Sequence, residues 1–165
     1  MSSRPITSLS LTLLALLIAG CAAKEPKPQQ LKSMVVAAEE LNPNRRDRSQ
    51  PVVVHLYYLQ QDEAFLQASF RDLTASDPQS LGGDLLRHTQ VLIGPGESQS
   101  LDQAFDPKAQ YIGVVAAFTR IDDAQWRALV EVPGNSLRQR LNPFSGKRLE
   151  IALENTSVSA QIVKD

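Results

Sequence analysis

Residues 52–59, Val-Val-Val-His-Leu-Tyr-Tyr-Leu, are apolar or aromatic at nearly every position. Valine and tyrosine favour the pleated conformation, and successive side chains on a strand point to opposite faces. A strand that is apolar on both faces has to be covered on both, so this segment reads as a central strand with material above and below it. Tyr111 to Phe118, Tyr-Ile-Gly-Val-Val-Ala-Ala-Phe, makes the same demand. Its glycine and two alanines leave room for something to pack closely over it.

The other periodicities supply the layers. Leu31 to Ala38 reads as a first strand centred on Met34-Val35-Val36. Asp62 is placed to cap a helix running to about Ala75, in which Leu66, Phe70 and Leu73 make one apolar stripe with Phe65 beside them. A shorter helix holding Leu81, Leu85 and Leu86 follows, weakened by Gly82-Gly83. Gln90 to Ile93 is a strand leading into Gly94-Pro95-Gly96, where proline fixes one dihedral and glycine takes the positive one. Leu101 to Phe105 either rejoins a sheet or forms a single turn. Trp126, Ala128, Val130 and Val132 alternate with Arg127 and Glu131, and Pro133-Gly134-Asn135 ends that strand. Leu149, Ile151 and Leu153 share one face of the next strand, and Val158, Ala160 and Ile162 form the last. These short strands, with helices gathered in one insertion, predict a mainly β fold: a two-sheet sandwich with a short helical insertion. A doubly wound α/β fold would need strands and helices to alternate.

An apolar run from Leu11 to Ala19 lies behind a single early arginine, Arg4, and ends at Gly20-Cys21. It is shorter than the roughly 20 residues a membrane-spanning helix needs. It fits the hydrophobic region of a secretory signal, with Ala19 and Gly20 supplying small residues near the cut. Ile18-Ala19-Gly20-Cys21 also resembles the bacterial lipobox. That resemblance implies a signal peptide over residues 1–20 and a mature chain whose Cys21 carries a diacylglyceryl group and an acylated amino terminus. Two or more acyl chains hold a domain stably on a membrane. No aspartate follows Cys21, which resembles the enterobacterial pattern for outer-membrane delivery. Residues 21–31 then read as the lipid-bearing cysteine and a polar tether bearing Pro26 and Pro28, and residues 32–165 as the sandwich domain.

Removing residues 1–20 from 165 leaves 145, the size of one domain. Arg4 leaves with the leader, so 16 of the 17 basic residues face 18 acidic ones. That balance excludes a nucleic-acid binder, which needs a basic excess. Cys21 is the only cysteine, so no internal disulfide can form and stability must come from burial.

No constellation for catalysis stands out. His55 and His88 are the only imidazoles. The first sits inside an apolar strand as a structural histidine, and the second follows an expected helix end, where it can meet the last carbonyls. Asp122-Asp123 reads as solvated turn punctuation, and no three or four metal ligands recur at a usable spacing. The chain reads as a binding or scaffold domain, without a cofactor other than the covalent lipid. Its best candidate surface is the long polar link from Glu39 to Pro51, carrying Asn42-Pro43-Asn44 and Arg45-Arg46-Asp47-Arg48. Arginine forks suit specific protein contacts, and prolines at both ends reduce the entropy lost on binding.

Several blocks in order behind the lipobox carry a resemblance. They are Pro51 to Leu59, Phe65 to Leu73, Leu81 to Leu86, Val91 to Glu97, Tyr111 to Phe118 with Thr119-Arg120, and Trp126-Arg127. Together they resemble the outer-membrane lipoproteins of type VI secretion systems, the TssJ or SciN family. The resemblance implies a transthyretin-type sandwich with an elaborated loop between its first strands. It also implies a structural role on the inner leaflet of the outer membrane, facing the periplasm. The implied partner is the periplasmic C-terminal region of the inner-membrane subunit TssM, within a membrane complex that also holds TssL. Carried onto this sequence, the partner-binding loop is Glu39 to Pro51, with Asn42, Asn44, Arg45, Arg46 and Arg48 as contact candidates and Cys21 as the lipidated residue. The alternative is a periplasmic lipoprotein that carries a small apolar ligand between its sheets.

Overall fold

The computed structural model describes residues 29–133 and 146–164; the leader, Cys21 and the Gly134-Asn135 turn lie outside them. In chain order the strands are β1 (Gln29–Leu31), β2 (Ser33–Ala37), β3 (Val52–Leu59), β4 (Leu85–Ile93), β5 (Ser98–Ser100), β6 (Gln103–Phe105), β7 (Tyr111–Ala116), β8 (Arg127–Glu131), β9 (Lys147–Leu153) and β10 (Val158–Lys164). One four-stranded sheet has the order β4-β3-β7-β8 and the other β10-β9-β2-β5, while β1 and β6 pair by themselves. Neighbours run antiparallel except β2 and β9, which are parallel with Val35 opposite Ile151.

Strand β3 is central, and both of its faces are covered. Val52, Val54, Leu56 and Tyr58 point between the sheets with Ile112, Val114 and Ala116 of β7. There they meet Val35 and Ala37 of β2 and Leu149, Ile151 and Leu153 of β9 in one continuous buried cluster. On the opposite face Tyr57 and Leu59 join Val115 under Phe65, Leu73 and Leu81 of the helical insertion. Each such buried side chain contributes about 1.5–3 kcal/mol relative to exposure. Gly113 is the close approach that its strand requires: a Cβ there would lie 2.6 Å from the Phe65 ring.

The insertion departs from the sequence expectation. The helix expected from Asp62 to about Ala75 is two short ones, α1 (Glu63–Gln67) and α2 (Phe70–Leu73), separated by extended backbone at Ala68 and Ser69. Asp62 precedes α1 without a side-chain capping bond, whereas Ser69 and Asp72 form a capping box on α2. That local cap competes with a continuous helix and turns Phe65 and Leu73 inward while Leu66 stays exposed. The second expected helix is a 3-10 segment, Gln79–Asp84, kinked at Gly82 with φ of 49°. Strand β4 then starts at Leu85, because β3 needs an edge partner along its whole length, from Val52 opposite Ile93 to Leu59 opposite Leu85. His88 therefore lies on a strand and not after a helix. The sheet structure also takes Gln29–Leu31, which composition read as tether: β1 pairs with β6, and Leu31 is fully buried. Backbone pairing does not require apolar side chains, so a polar segment can enter it.

Candidate functional site

The link between β2 and β3, residues 38–51, forms one end of the sandwich. Leu41 inserts into the core and Asn42 is only 3% exposed. Asn42 adopts a left-handed backbone with φ of 49°, a conformation asparagine tolerates better than most residues. Its Nδ2 donates to the Pro51 carbonyl at 2.8 Å, and its Oδ1 accepts from the Thr119 amide at 2.7 Å. Its own amide donates to the Asn155 carbonyl at 2.7 Å. Three connections, β2–β3, β7–β8 and β9–β10, thus meet at one side chain and its backbone.

Beyond that anchor the loop closes on itself. The Gln50 amide donates to the Leu41 carbonyl at 2.9 Å and shuts the neck. Asn44 organises the tip: its Oδ1 accepts from the amides of Arg46 at 2.8 Å and Arg48 at 3.2 Å. The Asn44 amide also donates to the Arg48 carbonyl at 2.9 Å. Arg45, Arg46 and Arg48 are exposed on this frame. A groove of about 500 Å³ separates Arg45 from the β7–β8 connection and is walled there by Thr119, Arg120, Ile121, Asp122 and Asp123. Arg120 Nη2 pairs with Asp123 Oδ2 at 3.1 Å across an exposed surface, where such a pair contributes at most about 1 kcal/mol. On the flank, Gly96 takes φ of 70° and donates its amide to the Ala38 carbonyl at 3.0 Å. A Cβ at Gly96 would lie 2.8 Å from the Glu39 carboxylate, so glycine is needed here twice over.

The expected contact residues therefore divide. Arg45, Arg46 and Arg48 come together on one exposed tip. Asn44 is half-buried and occupied with loop amides, and Asn42 faces inward, so its side chain is not a surface contact. Sequence reasoning missed the opposite wall, Thr119 to Asp123. The Asn42–Thr119 bond, across 77 positions, brings it to the loop, and no local pattern announces such a bond.

The two histidines are engaged with each other. His55 Nδ1 and His88 Nε2 share a proton bridge at 3.0 Å, and Tyr57 stacks on His88 with ring centroids 4.7 Å apart. Burial, with His88 beside it, lowers the His55 pKa to about 4, and burial lowers that of His88 too. The Tyr57 hydroxyl donates to the Leu73 carbonyl and ties this face to the insertion. Among the described residues no three metal-ligating side chains converge. No helix among them is long and apolar enough to cross a membrane. The rim gathers the exposed side chains of Arg45, Arg46 and Arg48 on one side of the groove and Arg120, Asp122 and Asp123 on the other.

Comparison with known proteins gives this rim its context. No curated protein matches the chain. The T6SS lipoprotein TssJ1 from Pseudomonas aeruginosa is 29% identical, with a TM-score of 0.72 over 84% of this chain and 99% of that one. A chain of a type VI membrane complex is 25% identical, with a TM-score of 0.67 over 82% of this chain and 99% of that one. A chain in the structure described as the T6SS protein TssM C-terminal domain (869–1107) from EAEC is 24% identical. Its TM-score is 0.61 over 81% of this chain and 98% of that one. The family described as type VI secretion lipoprotein, VasD, EvfM, TssJ, VC_A0113 matches residues 29–156, and the chain belongs to that family.

Proposed function

We propose that this lipoprotein fastens the envelope-spanning type VI secretion complex to the outer membrane by binding the periplasmic C-terminal region of TssM. The acyl chains on Cys21 hold it in the inner leaflet, facing the periplasm, and TssL joins the same complex without direct contact. The sandwich follows the transthyretin-type plan that the family resemblance implies. The observation that carries the reading is the closed β2–β3 loop, which presents Arg45, Arg46 and Arg48 on a hydrogen-bonded frame. Guanidinium groups held in this way lose little entropy on meeting carboxylates and carbonyls. A chain of related fold in the structure described as a TssM C-terminal domain supports the choice of partner. The continuous core spanning both sheets favours this role over carriage of an apolar ligand.

Co-purification from detergent-solubilised envelope tests the reading. The tagged full chain is expected to recover TssM, and mass spectrometry is expected to find the mature amino terminus as acylated Cys21. Cys21→Ser should release a folded periplasmic domain that still binds TssM, since Cys21 is the only cysteine and no internal disulfide is lost. An unmodified Cys21 in the wild-type protein would refute the anchor, and absence of TssM from the recovered material would refute the partner.

A further inference from the structure

We infer that Asn42, although buried, is the positioning residue for partner recognition: it fixes the arginine tip against the β7–β8 connection so that both walls of the groove meet the partner as one surface. This rests on the proposed binding of TssM through the β2–β3 loop. Asn42 sits at the base of that loop, between the core residue Leu41 and the exposed tip. Its Nδ2 holds the outgoing strand through Pro51 at 2.8 Å. Its Oδ1 holds the opposite wall through the Thr119 amide at 2.7 Å, next to Arg120 and the Ile121–Asp123 turn. Both ends of the loop and the facing wall are thereby referred to a single amide group. An amide supplies donor and acceptor together, and the left-handed backbone there excludes most other side chains.

A residue that acts by placing others leaves a distinct thermodynamic signature. Its loss should weaken binding only while the groups it places are present, so the effects should not add. Asn42→Gly keeps the left-handed backbone free of strain while removing the side-chain amide. We expect the folded full-length variant to bind the TssM C-terminal domain at least tenfold more weakly than wild type. Combined with Arg45→Ala, Arg46→Ala and Arg48→Ala, it should weaken binding by clearly less than the sum of the separate losses. Amide exchange at Arg46, Arg48 and Thr119 should accelerate while β3 stays protected. Asn42→Asp keeps the acceptor for Thr119 but not the donor to Pro51; it should fall between wild type and glycine, and it carries the same cycle if the glycine variant does not fold. Unchanged affinity in a folded Asn42 variant, or losses that add in full to those of the arginines, would overturn the inference while leaving the loop assignment standing. Absence of wild-type binding would overturn the proposed function and this inference with it.

Discussion

A methyl group at position 113 has nowhere to go. The Phe65 ring of the insertion already lies 2.6 Å from where it would stand, and it is packed among Tyr57, Leu73 and Leu81, where little can yield. Gly113→Ala should destabilise the fold by about 1–3 kcal/mol through overpacking, read from denaturant melts. The same melts should show that Trp126→Ala costs about 2 kcal/mol. That is less than the roughly 3–5 kcal/mol of a fully buried large aromatic, because Trp126 is half-buried at the sheet edge, set edge-on to Phe70 at 5.3 Å. The alternation puts Trp126 on the apolar face of the strand, but β8 starts one residue later, at Arg127. His55 gives a pH signature. Its folded pKa of about 4 lies below the ordinary value of 6.5, so the unfolded chain takes up the proton first on acidification. Stability should be complete above pH 6.5 and decline between there and about pH 4, by roughly 2–3 kcal/mol. His55→Gln should flatten that decline in urea melts at stepped pH; an equal slope in wild type and variant would contradict the assignment.

Elements buried on both faces were the easiest to read. Strands β3 and β7 were legible because unbroken apolar runs admit few alternatives, and β9 and β10 because their alternation is regular. The insertion was misread in detail, since Ser69-x-x-Asp72 caps a new helix inside what looked like one stripe, and Gly82 admits a kink that sequence spacing does not reveal. The β2–β3 loop stood out by length and charge, yet its inner architecture did not. Asn42 resembles any loop asparagine until Pro51, Thr119 and Asn155 are brought around it. Arg127 is similar: it reads as an outward charge on an alternating strand, but its Nη1 donates to the carbonyls of Phe65 at 2.8 Å and Ala68 at 3.2 Å. Its guanidinium also lies 4.8 Å from the Trp126 ring centre. It clamps the end of α1 to the sheet. Arg127→Met should therefore accelerate amide exchange across residues 63–73 and cost about 1–3 kcal/mol, whereas β9 and β10 should keep their protection.

For the whole molecule the labour is divided. The insertion and the inter-sheet core supply stability without a disulfide, and the rim, built from three connections around Asn42, presents charge on a fixed frame. Exposed substitutions at the tip should change stability by no more than about 0.5 kcal/mol each, which lets recognition be altered apart from folding. The most direct test of the adaptor account is calorimetric titration of the TssM C-terminal domain at two salt concentrations. It compares wild type with a variant carrying Arg45→Glu, Arg46→Glu and Arg48→Glu. The account predicts that wild-type affinity falls with added salt. It also predicts that the variant, with a nearly unchanged thermal midpoint, binds at least tenfold more weakly, a loss of about 1.4 kcal/mol. Equal affinity of the folded variant and wild type, or no detectable binding by wild type, would contradict it.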